Sequence, residues 1–457
     1  MTAIKKIILD NFKPFGHLEF DLSDGKGVLP YAFIYGENGS GKTNLLESVT
    51  FLKRSLVTLA RDPEYEGKEK EMVDIFGHLL DMMKHDGGNE KLKQSVIDIL
   101  IPKDLPYLAA QYRMIGDGEG MGICLILDID GHDATYVMRF DDDNNLKRES
   151  LRYLANERVT ELFNLISAED QSQNSFSPRL FADSGYERDL RESVSRYWGK
   201  HSFLSILNRE RIKNNASFME NVVARNVLVF MDSLNGIMAE SGPLGEILSR
   251  SDNIRYSPQS GRIDRDQLGK LRNYETALDK AFTRIYSDVR RVYFKTTETE
   301  DGGIEYVLYF VRHIHGEDRD VPAAFESSGT RKILGILPFL LDCAAGRTVM
   351  IDEMDSGVHD KLIFDLIREI LREIKGQLIV TTHNTSLLKI LDPKGSFIIS
   401  VDLNGDREIR NVSRILRTQK NHNNQDRYLK GLMDGVPVMG SLDLDEIATS
   451  YYEQESI

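Results

Sequence analysis

The stretch Gly36-Glu37-Asn38-Gly39-Ser40-Gly41-Lys42-Thr43 has the residue types and spacing of a phosphate cradle, GxxxxGK[ST]. Its glycines let the backbone curl until successive N–H groups converge on phosphate oxygens. Lys42 has the reach for the β- and γ-phosphates of a nucleoside triphosphate, and the Thr43 hydroxyl is a hard-oxygen ligand for Mg2+. A helix starting here, with Asn44 in its first turn, adds the positive end of its dipole to the same anion. Far downstream, Asp352 and Glu353 follow the apolar run Thr348-Val349-Met350-Ile351. Asp352 suits magnesium, usually through water, and Glu353 suits activation or positioning of an attacking water.

Two further clusters belong with these. Thr381-Thr382-His383-Asn384 closes a second apolar run that starts at Gln377, and a histidine there can donate to a γ-phosphate or orient the lytic water. Phe325-Glu326-Ser327-Ser328-Gly329-Thr330 precedes the apolar stretch Ile333–Leu341. Small polar residues and a glycine at a helix start make either a second anion-binding end or an ordinary N-cap.

The elements that must hold these groups are legible as patterns. Ile4, Ile7, Leu9 and Phe12 alternate with polar residues, as do His17 to Leu22, so two adjacent strands are predicted around the turn Lys13-Pro14-Phe15-Gly16. Tyr31–Tyr35 reads as a buried strand feeding the glycine loop, and Asn44 to Leu59 reads as a helix. Residues 61–105 are charged and mostly helical in pattern. Short strands such as Gly122–Asp128 and Thr135–Phe140 predict an antiparallel sheet over 109–153, and 155–290 reads as helical with loops near 172–178 and 251–261. Strands return at Val292–Lys295, Ile304–His313, Thr348–Ile351, Gln377–Thr381 and Ser396–Val401. The prediction is an α/β chain whose mostly parallel core starts, is interrupted by a helical insertion, and resumes. Its divisions are 1–154, 155–290 and 291–457.

Composition narrows the class. Acidic residues number 72 against 58 Lys plus Arg, a net charge of −14, so the chain as a whole is not steered to nucleic acid, although a local basic groove stays open. No apolar run is long enough to span a membrane, and the start, MTAIKKIILDNF, reads as a strand and not as a signal peptide. Cys124 and Cys343 each sit in apolar sequence and read as reduced core thiols. A cytoplasmic location is the expectation.

Together the four clusters resemble the ABC-type ATPases of the RecF, SMC and OLD group, which are bacterial AAA-family ATPases. The resemblance makes Gly36 to Thr43 the Walker A motif and Thr348 to Glu353 the Walker B motif with its catalytic glutamate. Asp355-Ser356-Gly357 matches the D-loop and His383 the switch histidine. Glu326 to Thr330 matches the signature loosely, with Ser328 where the family's first glycine stands. Asn11-Phe12-Lys13-Pro14-Phe15 is similar to the family's first strand. Gln111 is the candidate for the Q-loop glutamine, against a surface polar residue.

What this implies is an ABC-ATPase head, a P-loop NTPase core plus an antiparallel β-subdomain, that binds ATP and Mg2+ and hydrolyses the nucleotide. Lys42, Glu353 and His383 are the implied catalytic residues, and Thr43 and Asp352 the metal ligands. Gly36 to Asn44 would hold the nucleotide of one copy, while Ser327, Ser328 and Gly329 would complete the site of a second copy in a head-to-head dimer or higher homo-oligomer. The insertion is too short for a coiled-coil arm, and the residues after Val401 leave no room for a Toprim domain. The tail Asn424-Gln425-Asp426-Arg427-Tyr428-Leu429-Lys430-Gly431 to Pro437 resembles the ending of stand-alone phage-defence ATPases such as the RloA type and the ATPase subunit of the PARIS system, or is a plain structural helix. Such proteins work with a separately encoded effector, often a nuclease. The expectation is therefore an ATPase sensor in anti-phage defence; the alternatives are a RecF-like, ATP-gated DNA-binding protein and, fitting poorly, a metabolic P-loop kinase.

Overall fold

The computed structural model describes residues 1–61, 103–116, 118–155, 158–167, 174–177, 180, 184–213, 222–240, 259–300, 302–415, 423–437 and 440–452. A six-stranded sheet organises the chemistry. From edge to edge it runs Arg407–Asn411, Ser396–Val401, Tyr31–Gly36, Gln377–Thr381, Thr348–Ile351 and Met238–Glu240. All neighbours pair in parallel except the antiparallel edge strand Arg407–Asn411. The inner strands are apolar almost throughout because both faces are covered.

Alternation along those strands divides the interior in two. Ala32, Ile34, Met350, Ile379, Phe397 and Ile399 enter one core, with Leu45, Leu46 and Val49 of the helix Lys42–Ser55. Phe33, Tyr35, Val349, Ile351, Leu378, Val380 and Ile398 enter the other. That second core is closed by the helices Ser328–Ala344 and Asp360–Glu373. The expected parallel core covered by helices is thus observed.

The first core is roofed by a seven-stranded antiparallel sheet in the order Phe15–Asp21, Thr2–Phe12, Gly122–Ile129, His132–Phe140, Leu146–Ala155, Arg158–Ile166 and Ser175–Phe176. Buried polar groups suture the two sheets. The Gln377 side chain accepts from Ile4 N (2.7 Å) and donates to Ile4 O (2.9 Å) and Leu29 O (3.1 Å), and Thr348 Oγ1 donates to Thr2 O (2.5 Å). Each pairing satisfies a group that would otherwise be desolvated without a partner.

The reading of 155–290 as helical needs correction. It does contain the helices Ser184–Tyr197, Phe203–Lys213, Val222–Asn235 and Leu268–Ile285. It also contains Arg158–Ile166, which pairs with Leu146–Ala155 and extends the antiparallel sheet, and Met238–Glu240, which becomes an edge of the central sheet. Ser260–Ile263 pairs with Ile304–Val307. These segments are short or carry mixed polarity, so only their partners settle their conformation. Glu149 ties the helical part to the sheet. Its fully buried carboxylate accepts from Tyr136 OH (2.8 Å), Trp198 Nε1 (2.9 Å), Phe203 N (2.7 Å) and Leu204 N (3.3 Å). The predicted helical pattern over 61–105 lies mostly outside the described residues, as does most of the loop near 251–261.

A smaller sheet carries the signature cluster. Ile304–Ile314 pairs with Val289–Glu298 on one side, and with Ser260–Ile263 and Glu317–Pro322 on the other. Both cysteines are free and buried, as expected, and burial pushes the Cys343 thiol up to about 12. Among the described residues no helix is long and apolar enough to cross a membrane.

Candidate functional site

The glycine loop leaves the C-terminal edge of the central sheet between Tyr31–Gly36 and the helix Lys42–Ser55. Two of its glycines are required by close approach. A Cβ on Gly36 would lie 2.6 Å from Ile399 O, and one on Gly41, whose φ is 104°, would lie 2.6 Å from the Phe15 ring. The helix begins with no side-chain cap and no acidic residue in its first turn, so its first N–H groups are left for an anion. Lys42 is buried, and its ammonium donates to Gly36 O (2.8 Å) and Glu37 O (3.0 Å). Burial lowers its pKa, against the opposing pull of Asp352, Glu353, Asp355 and Glu37. Four carboxylates therefore face one ammonium across the loop. Glu37 is half-buried, Asn38 and Gly39 are exposed, and Ser40 is buried with its hydroxyl unpartnered among the described residues. Asn44 is half-buried in the first turn of the helix.

The acidic strand lies two places along the sheet from the loop strand, with Gln377–Thr381 between them. The sheet brings residues far apart in sequence into contact at that edge. Thr43 Oγ1 donates to Asp352 Oδ2 at 2.7 Å, and Thr381 Oγ1 donates to Asp352 Oδ1. The Thr381 hydroxyl also accepts from Glu353 N at 2.8 Å. Asp352 is 9% exposed, whereas Glu353 is exposed. Glu353 stands at φ 44°, a left-handed conformation uncommon for a residue with a side chain. Such strain persists only where surrounding contacts impose it. Here the Thr381 hydrogen bond contributes to that constraint. The Asp355 carboxylate accepts from His383 N (3.2 Å), and the His383 side chain is exposed beside the acids.

Ser327 caps the helix Ser328–Ala344, accepting from Thr330 N at 3.1 Å. Ser327 and Ser328 are exposed. Gly329 packs on the turn after the acids, where an added Cβ would lie 2.8 Å from Gly357 O. Behind the cap, Glu326 is held by Arg312 in a two-pronged pair: Nε to Oε1 at 2.8 Å and Nη2 to Oε2 at 2.5 Å. Arg312 also donates to Asp288 (2.6 Å). These contacts push the guanidinium's pKa up, its hydrogen bonds to Glu326 foremost.

Sequence reading placed Thr381 in the polar cluster without giving it a role, and passed over Arg312. A hydroxyl whose partners, Asp352 and Glu353 N, lie 29 and 28 residues away, and an arginine in a strand, carry no local signal. The Gln111 side chain is exposed after the short helix Leu105–Ala110, with its Oε1 3.4 Å from Arg54 Nη1. The glycine loop, the acids and the Thr-Thr-His turn are together at one sheet edge, whereas Gln111 approaches Arg54 at the far end of the loop helix.

The oxygens suit a triphosphate with magnesium. Among the described residues there is no cluster of three or more His, Cys, Asp or Glu side chains that could hold a metal. One hydroxyl and one carboxylate in contact, beside a cradle of backbone N–H groups, are instead the partial ligand set that a magnesium ion completes with phosphate oxygens and water.

Two segments match models of known families. Residues 231–389 match the family described as "AAA domain, putative AbiEii toxin, Type IV TA system", and residues 6–78 match "AAA domain". No curated protein matches the chain. Among solved structures, the chain is similar to an SMC head bound to the C-winged helix domain of ScpA (14% identity, 89% of this chain and 97% of that one, TM-score 0.43). It is similar to an SMC head domain from Thermotoga maritima (16%, 90% and 98%, TM-score 0.36). A third is an Smc head with an extended coiled coil bound to the C-terminal domain of ScpA derived from Pyrococcus furiosus (15%, 90% and 96%, TM-score 0.38). Identities this low leave the chemistry to rest on the chain's own geometry. The glycine loop lies within one matched segment, and the signature, acidic strand and Thr-Thr-His turn within the other, so both sides of the site fall in segments that match AAA-domain models.

Proposed function

We propose that this chain binds ATP with magnesium and hydrolyses it at a site that a second copy completes, and that this cycle regulates a separately encoded effector, a nuclease, in defence against phage. The observation that carries the ATPase reading is the 2.7 Å contact of Thr43 Oγ1 with Asp352, which joins the glycine loop to the acidic strand across 309 residues. In this reading Lys42 leaves the loop carbonyls for the β- and γ-phosphates, and the N–H groups of Gly36 to Asn44 bind the phosphate chain. Thr43 and Asp352 hold the magnesium, which supplies charge neutralisation at the transferred phosphoryl group. Glu353 takes the proton of the attacking water, and His383 donates to the γ-phosphate.

The exposure of Ser327 and Ser328 at a capped helix start supports delivery of that end to the partner's nucleotide, where it excludes water and adds N–H donors. Support for the defence role is the match of 231–389 to a family described as a toxin of a toxin–antitoxin system. The tail's likeness to the RloA and PARIS ATPases points the same way.

The test is Glu353→Gln. It preserves shape and leaves the Thr43–Asp352 pair intact, so ATP affinity should stay within about twofold while phosphate release slows by about 10²–10⁴-fold, the range for loss of a general base. Unchanged turnover removes Glu353 from the reaction, and absence of ATP binding by the unmodified chain removes the proposal altogether.

A further inference from the structure

The C-terminal segment reaches the phosphate loop from behind. The helix Asn424–Leu429 is followed by a tight turn in which Gly431, Asp434 and Gly435 all have positive φ. Gly435 sits against the end of the central sheet. An added Cβ there would lie 2.5 Å from Ile398 Cγ2, 2.9 Å from Ile399 O and 3.6 Å from Gly36 Cα. Ile399 O is the same carbonyl that forbids a side chain on Gly36. Three backbones thus close on one point, and any displacement of the turn opens space beneath the first glycine of the loop.

Side chains fasten the turn from both flanks. Tyr428 OH donates to Gly435 O at 2.8 Å, and the Tyr428 ring lies 5.8 Å from that of Tyr35, the residue before Gly36. Tyr428 is 5% exposed and also faces Glu37; burial, reinforced by that carboxylate, pushes its phenol up to about 12, so it stays a donor. On the other flank Arg410 Nη2 pairs with Asp434. Gln425 Nε2 donates to Thr385 Oγ1 at 3.1 Å, two residues beyond His383.

We propose that Asn424 to Gly435 is a positioning element of the nucleotide site, in which Tyr428 and Gly435 set the path of Gly36 and Glu37, and Gln425 steadies the turn that carries His383. The inference rests on the ATPase reading above and adds a reason for the tail motif that a plain terminal helix does not require. Tyr428→Phe keeps the ring and removes one buried hydrogen bond. Gly435→Ala forces the turn off Ile399.

The experiment measures the Kd of a fluorescent ATP analogue with magnesium and the rate of phosphate release from ATP, beside thermal unfolding, for the full chain and for Tyr428→Phe, Gly435→Ala, Gln425→Ala and Lys42→Ala. Tyr428→Phe should weaken binding about fivefold, the worth of one buried hydrogen bond, at temperatures where the variant is fully folded. Gly435→Ala should weaken it further. Gln425→Ala should slow phosphate release with little change in Kd. A tail that only stabilises the fold would lower the melting temperature and leave Kd as it was, and that result in Tyr428→Phe overturns the inference even if Gly435→Ala fails to fold. If the unmodified chain does not bind, or Lys42→Ala binds as well, the nucleotide-site reading fails instead.

Discussion

Replacing Arg312 by methionine removes the cation that pairs with Glu326 while keeping most of the apolar side-chain volume. The Glu326 side chain is 4% exposed and that of Arg312 is 15% exposed, so the pair is desolvated; Asp288, at 46%, can return to water. Breaking a buried pair by deleting one partner costs about 3–5 kcal/mol, whereas loss of an exposed one costs about 0–1 kcal/mol. The Glu326 limb therefore dominates, and the variant should lose about 3–5 kcal/mol of a total stability on the order of 5–15 kcal/mol. Equilibrium denaturation reads this directly. Glu326 adjoins the Ser327 cap, so phosphate release should fall more than nucleotide affinity. The double variant Arg312→Met with Glu326→Met removes the stranded charge and should recover most of the stability, because apolar replacement of a buried pair is often neutral. A single-variant loss below about 1 kcal/mol, or a double variant no more stable than the single, would refute the account of this pair as a buried, uncompensated charge problem.

Other consequences can be measured separately. Thr381→Val is nearly isosteric but removes the donor to Asp352 and the acceptor of Glu353 N–H; phosphate release should slow by at least about tenfold, and half-saturation should need more magnesium. Unchanged magnesium dependence would deny Thr381 its part in orienting Asp352. Lys53, buried on the loop helix and donating to Ile237 O at 2.8 Å, has its pKa lowered by burial from 10.5 to about 8. Between those values the unfolded chain holds a proton that the folded chain has released, so stability rises with pH across that window and is reduced by the full penalty below it. Relative to Lys53→Met, which does not titrate there, the gain should approach about 3 kcal/mol by pH 10.5. A flat difference in denaturation free energy between pH 7 and 10 would contradict it.

Local chemistry explains what could be read without coordinates. A glycine loop declares itself because phosphate needs convergent N–H groups, and only Gly36 and Gly41 tolerate the contacts with Ile399 and Phe15 that this path imposes. Strands buried on both faces, such as Tyr31–Gly36 and Gln377–Thr381, announce themselves as unbroken apolar runs. Their polar ends mark the edge where ligands can gather.

Pairing across the chain lies beyond such patterns. Whether Arg158–Ile166 and Met238–Glu240 are strands depends on Leu146–Ala155 and Thr348–Ile351 being there to receive them. The partners of Thr381, Arg312 and Tyr428 depend on how the chain returns to the sheet. The hydrogen bond between Thr43 and Asp352 joins the first turn of a helix to the end of a strand two places along the sheet from the loop strand, and no residue near either one encodes that distance. Residue type sets what a side chain is able to do; packing of the two cores around one sheet sets what it touches.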